Sequence, residues 1–409
     1  MAVIDVVGCI RQFNDGRDPD RLALKYKLMR QNAFVFLRGT CHLFYDRLPR
    51  ASVFRQAPVT WVCGDLHFQN FGSYKGDNRL VFFDMNDFDE AALAPCTWDL
   101  VRFLASILIG TRNIAVSSRD GIKLCNTFMD AYGSALAYGK ARWVERETAD
   151  GLVRELLEGL RGRARPAYLD TRTTRAGKTR RLKLDGKKAL PASDEQRSRV
   201  ISFMQRFAAR QPNPAFFEVI DVARRVAGTG SLGVDRFVIL VEGKGSPDAN
   251  YLLDLKQALP SCLIAHLKNK QPSWQTEASR VEAVQRRMQA ISMAFLQPVV
   301  IGKTSYVLRG LQPSEDRVAF EQWNGKLHRL EGVMKAMGEV VAWGQLRSGG
   351  RNGSATIDEL IDFGRQRKQW AKPLLEAAKD CAEQVDKDWR VYAESFDAGA
   401  PPAAEANRR

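Results

Sequence analysis

The chain has 409 residues and a formal net charge of +15. That length exceeds what one hydrophobic core usually serves, so two lobes are expected. Seven cysteines with no C-x-x-C spacing, together with only four histidines, argue against a disulfide framework, a zinc site or a histidine-rich metal centre, and fit a reducing cytoplasm.

The opening segment, MAVIDVVGCIRQFND, has neither a basic start nor a long apolar run, so no secretory signal is expected. Residues 20–48 repeat apolar side chains at three and four positions, with no Pro or Gly before Gly39, which is the pattern of a helix. PVTWVC reads as a strand, and a loop bearing Asp65, His67 and Asn70 follows it. A turn at KGDN leads into a second strand, RLVFFDM. Asp84, Asp87, Asp89 and Glu90 then fall within seven residues, and carboxylates at that density repel one another unless a cation or a proton shares the site. TWDLVRFLASILIGTRNIAV predicts a buried helix with Thr97 as its cap, and its apolar run is too short to span a bilayer. Residues 120–160 continue as helix.

Between Arg161 and Lys188 eleven Lys or Arg face only Asp170 and Asp185. This is either a docking surface for an anionic partner or a solvated hairpin. Residues 195–211 predict another helix, and from Phe216 the texture turns to strands: FFEVIDVARRV, RFVILVEG and YLLDLKQA. Between the first two, AGTGSLGVD places Gly228, Gly230, Ser231 and Gly233 in a G-x-G-x-x-G frame. A dinucleotide fold needs a helix directly after such glycines. Here a β-branched, aromatic strand follows, which is the arrangement of a flap over ATP phosphates. Alternation on the third strand puts Lys256 on one face with Leu252 and Asp254, where a kinase holds its phosphate-binding lysine. A helix over SWQTEASRVEAVQRRMQAISMAF supplies Glu282, or secondarily Glu277, as the expected carboxylate partner of Lys256. A strand SYVLRGL containing Arg309 precedes helices over 315–396, which break at RSGGRNGSAT, and an Ala/Pro-rich tail at 397–409 is expected to be disordered.

These parts assemble into one chemistry. In kinase-type phosphotransfer a loop Asp accepts the hydroxyl proton, an Asn five positions on holds Mg2+, and a second Asp holds the other metal. Asp65 and Asn70 have that spacing, and Asp87 fits the third place, with Asp84 and Asp89 as competitors for metal. The phrases GDLHFQN, NDFDEA and WDL resemble the signature of aminoglycoside and choline kinase-like proteins, which implies that Asp99 braces the loop. The wider set NAFVFLRGT, GDLHFQNFG, DMNDFDEA, WDLVRFLAS, DVARRVAGTGSLG, LDLKQA and RVEAVQRRMQA resembles the bacterial domain of unknown function 2252 family over about 30–310. The resemblance implies an α+β, two-lobed kinase-like fold with a small antiparallel β lobe and a large helical lobe.

The acidic loop precedes the glycine flap, the reverse of kinase order, so circular permutation is expected. The division is then 1–150 for the first part of the large lobe, 151–215 for a basic connector, 216–312 for the nucleotide-binding β lobe, and 313–396 for the helical remainder. Residues around Arg309 would form the hinge. The expected activity is ATP- and Mg2+-dependent transfer of a phosphoryl group, or a nucleotidyl group, to a hydroxyl acceptor; a small molecule is the first expectation and a protein the second. The rival readings are an inactive nucleotide-binding scaffold, a nucleic-acid binder using 161–188, and a metallophosphoesterase, which lacks the further histidines it would need. His67 either orients the loop or is a structural histidine. No membrane partner is expected.

Overall fold

The computed structural model describes residues 4–313 and 316–399. It is a mixed α+β structure with antiparallel sheets. The largest sheet has six strands in the order Gln297–Ile301, Thr304–Gly310, Tyr251–Gln257, Arg236–Val241, Val219–Arg225 and Ala189–Leu190. Val219–Arg225 and Arg236–Val241 form a hairpin, and the glycine segment is its tip. The helix Glu277–Met288 lies in the chain between Tyr251–Gln257 and Gln297–Ile301.

Alternation along the strands gives this sheet two different faces. On one, Phe237, Ile239, Leu253, Leu255 and Leu308 pack against Val200, Phe203, Met204 and Phe207 of the helix Asp194–Ala208. On the other, Ala223, Val238, Leu240 and Leu252 meet Leu169 and Leu182. Those two leucines belong to the basic segment, which folds as a helix Arg165–Asp170 and a hairpin of Thr173–Ala176 with Thr179–Leu182. Arg180 is fully buried there; it donates to the Asp170 carboxylate, the Thr173 hydroxyl and the Pro247 carbonyl, and it pairs with Asp248 at 2.9 Å. Arg163 forms a two-point pair with Asp316 at 2.7 and 2.8 Å, and Arg181 and Lys183 donate to backbone carbonyls. The segment is thus a hairpin whose basic side chains are mostly exposed, while Arg163, Arg180, Arg181 and Lys183 also fasten it to its surroundings.

The helical body is built around Thr97–Gly110, which is buried along its whole length except at Leu108. The helices Ser118–Tyr138, Leu327–Ser348 and Arg367–Asp397 complete its core. Two small ladders lie on this body. Val59–Val62 pairs with Ala92–Pro95, and Phe71–Lys75 pairs with Val81–Met85. Together they present the loops 63–70 and 86–91 toward the large sheet.

Several boundaries differ from expectation. Residues 20–48 form three helices, Pro19–Met29, Ala33–Gly39 and Cys41–Asp46, because Asn32 caps the second through Val35 N at 3.0 Å and ends the first. The expected helix over 120–160 stops at Gly139, whose φ of 73° makes it the left-handed terminator of Ser118–Tyr138. Thr97 does not cap its helix; its hydroxyl donates to the Val53 carbonyl instead. The last helix runs to Asp397, and residues 400–409 of the expected tail lie outside the described residues. Among the described residues no helix is long and apolar enough to cross a membrane. The seven cysteines are free thiols.

Candidate active site

The loop after Val59–Val62 is held by Asp99, one turn into the buried helix. Its two carboxylate oxygens accept from Cys63 N at 2.8 Å and Gly64 N at 2.9 Å. Burial pushes this carboxyl up to about 6, against the pull of those two N–H groups. The brace delivers Asp65 to a small cavity that Asn70, Asp87 and Asp89 also line. Asn70, on the short 3-10 turn Phe68–Asn70, donates its Nδ2 to the Asp65 carbonyl, which leaves its Oδ1 as an acceptor. His67 is buried, and its Nδ1 accepts from Gln69 N at 3.2 Å; burial holds the imidazole neutral, well below its usual range.

Asp65 has a partner that the sequence reading missed. Arg102 is completely buried; its Nε lies 2.6 Å from Asp65 Oδ1, and one terminal nitrogen bonds the same oxygen and the Leu37 carbonyl. Burial raises the Asp65 carboxyl to about 6, although Arg102 pulls it down. A signal for this pair existed: Asp99 and Arg102 are one turn apart on one helix, and they bind 63–64 and 65 in the same order.

The glycine hairpin closes over the same cavity, which Gly228, Thr229, Gly230 and Ser231 line together with Asp65, Asn70, Asp87 and Asp89. A Cβ on Gly230 would sit 2.9 Å from the Arg38 carbonyl, so the approach of the two chains requires glycine. The Gly230 carbonyl accepts from Lys25 Nζ and from Arg17, both at 3.1 Å. Gly233, at φ 88°, instead turns the loop onto Arg17 and Leu22 and lines the adjoining cavity. Ser231 Oγ donates to the Ala227 carbonyl.

Lys256 crosses from the sheet to the acidic loop, 169 positions away from Asp87 in the chain. Its Nζ bonds Asp89 and lies 3.8 Å from Asp87. Burial would raise the Asp87 carboxyl, but Lys256, Arg309 and Arg236 outweigh it and hold Asp87 below its usual value. Glu282 does not meet Lys256. It pairs with Arg286 four residues on, and Glu277 pairs with Arg280 at 2.7 Å. The expected lysine–helix carboxylate pair is therefore corrected: in this chain the acidic loop itself supplies the carboxylates. Asp84 is corrected too. It lies on Val81–Met85, buried and away from the cavity, where it accepts from Met85 N at 2.8 Å and Ala290 N at 3.0 Å and faces Arg347 at 3.5 Å. Burial lifts it to about 6.

Among the described residues no group of three or more His, Cys, Asp or Glu side chains is arranged to hold a metal ion. Asn70 and Asp87, the latter 39% exposed, line the cavity together with Asp65, Asp89 and Glu90.

The model of one bacterial family, described as an uncharacterized protein conserved in bacteria (DUF2252), matches residues 17–395. The chain belongs to this family. No curated protein and no solved structure matches it.

Proposed function

We propose that this protein is a kinase-like phosphotransferase with a circularly permuted two-lobed arrangement, using ATP and Mg2+ to modify a hydroxyl acceptor. The observation that carries the reading is the convergence of Gly228–Ser231 and the loop bearing Asp65, Asn70 and Asp87 on one cleft, with Lys256 buried behind it on Asp89, from chain segments more than 130 residues apart. The order glycine hairpin, lysine strand, helix is also that of the kinase small lobe. Chain order does not matter to such a site, because geometry defines it.

In this reading each side chain has a task. ATP with Mg2+ supplies the activated phosphorus and the charge that Asn70 Oδ1 and Asp87 are placed to hold. Lys256 bridges the sheet to that site and keeps Asp87 ionised. Asp65 presents Oδ2 to the acceptor hydroxyl, while Arg102 fixes Oδ1 and with it the direction of proton uptake. The closed glycine hairpin offers backbone N–H groups to phosphate and limits water. The acceptor is a small hydroxylated molecule in the first instance and a protein in the second.

The test is thermal stability with ATP–Mg2+ against NAD. At about 100 times Kd, linkage gives roughly 2.7 kcal/mol of stabilisation. A shift with ATP–Mg2+ alone supports the reading, and a shift with NAD alone overturns it. One observation favours a second reading, a scaffold that binds nucleotide without turnover: the Arg102 pair occupies one oxygen of Asp65. Stabilisation by ATP–Mg2+ with no phosphate release or acceptor labelling, in wild type and Asp65→Asn alike, selects that reading.

A further inference from the structure

A nucleotide whose phosphates lie under the glycine hairpin must send its base in one of two directions. One runs along the Lys256 face of the sheet toward the connecting segment 311–313. The other runs outward past Gly233.

The first direction is blocked at Asp254, short of the cavity that Leu252, Leu311, Gln312 and Pro313 line. Asp254, next to Lys256 on that face, is wholly buried and paired with three arginines: Arg225 at 2.8 Å, Arg236 at 2.7 Å and Arg309 at 3.4 Å. Their charge holds its carboxyl well below the usual range against the cost of burial. Arg225 also donates to the Gln312 carbonyl at 2.7 Å, taking up an acceptor of the connecting segment. Beyond this cluster Leu169 and Leu182 lie on Leu240 and Leu252. Buried Arg180 pins their segment, so it does not swing aside as a free lid.

The second direction is open. A second, wider cavity adjoins the one under the hairpin, and the two share Phe13, Arg17, Glu90, Val234, Gln257 and Leu259. Arg17 stands between them, its guanidinium 4.9 Å from the Phe13 ring centre. Gln196 and Gln257 use their Oε1 atoms on Ser193 N and Asp235 N, which leaves both amide NH2 groups as donors for a base.

We propose that the purine base lies in this outer cavity, beside Arg17, Gln196 and Gln257, with the phosphates reaching inward to Lys256. The nucleotide thus runs with its base away from the connecting segment. The inference rests on the phosphotransferase reading.

Photolabelling of the full chain with 8-azido-ATP and Mg2+, followed by peptide mapping, tests it. Label on 13–17, 193–199 or 233–235 is expected, and label on 223–225, 238–240 or 307–313 overturns it. A second arm uses Glu195→Trp, an exposed position on the outer cavity wall. ATP–Mg2+ affinity should fall at least tenfold relative to the affinity for inorganic triphosphate, which has no base. Equal changes in both ligands overturn the inference while leaving the phosphotransferase reading intact. Failure of wild type to bind either ligand overturns both.

Discussion

Replacing Arg102 by Met tests the assignment of Asp65 without any knowledge of the acceptor. Arg102 is the direct ion-pair partner of Asp65 and has no exposure to water. Removing one partner of a buried pair leaves the other uncompensated, at a cost of about 3–5 kcal/mol when that group stays charged. The Asp65 carboxyl already stands at about 6, raised by burial, with Arg102 as the largest opposing influence. Without Arg102 it rises further. The sign follows from linkage. A carboxyl raised above its unfolded value stabilises most at low pH, and that contribution is lost as pH rises through the folded value. In wild type the loss is complete a little above pH 6. In Arg102→Met it continues upward, at about 1.4 kcal/mol per pH unit, until the new folded value is passed. Urea unfolding of both proteins at pH 5, 6, 7 and 8 should therefore show a gap that widens with pH. The gap at pH 5 measures the lost packing on Phe44 and the lost bond to the Leu37 carbonyl. A gap constant from pH 5 to 8 would refute the claim that Arg102 governs the charge on Asp65. Any activity assay should agree, with the acid limb of the rate profile moving to higher pH in the variant.

Lys256→Met should reduce ATP–Mg2+ stabilisation at least tenfold in apparent affinity, read by thermal shift, because Asp87 and Asp89 then repel the phosphates unopposed. Asp84→Asn should cost about 1–3 kcal/mol in chemical denaturation, since one amide cannot replace both carboxylate bonds to Met85 N and Ala290 N. It should leave the Mg2+ dependence of nucleotide binding unchanged, and a changed dependence would return Asp84 to the site. Arg180→Ala should destabilise by about 1–3 kcal/mol, whereas Arg181→Ala should stay near 0.5 kcal/mol; equal effects in denaturation would contradict the anchoring role of Arg180.

What was legible in the sequence was local. Glycines between two β-rich runs specify a hairpin rather than a strand–helix turn, and period-two alternation placed Lys256 on the face that meets Asp87. Asp65 and Asn70 were tied by spacing within one loop. The failures needed three-dimensional competition. Glu282 had a nearer cation in Arg286, one helical turn away, and helical periodicity alone cannot say which face turns to the sheet. Asp84 differs from Asp87 by lying inside a strand, where alternation fixes its direction before any metal can. Arg180 looked solvated because a run of like charge usually is, but Asp170 and Asp248, ten and 68 positions away, compensate it.

The crowd of carboxylates in a chain of net +15 has a simpler resolution than the need for metal alone. Each acid at the cleft is matched by one of the protein's own groups: Asp65 by Arg102, Asp89 and Asp87 by Lys256, and Glu90 by the Cys262 N–H at 2.6 Å. On the sheet behind them Asp254 takes three arginines. The acidic loop therefore folds without a cation to hold it, and its side chains stand preorganised before any ligand arrives. On the proposed phosphotransferase reading, Mg2+ serves phosphate binding and not stability. Chelator should leave the melting temperature of the free protein unchanged while abolishing the shift produced by ATP. A chelator-induced loss of stability in the free protein would mean that the ion pairs described here are not enough to hold the loop.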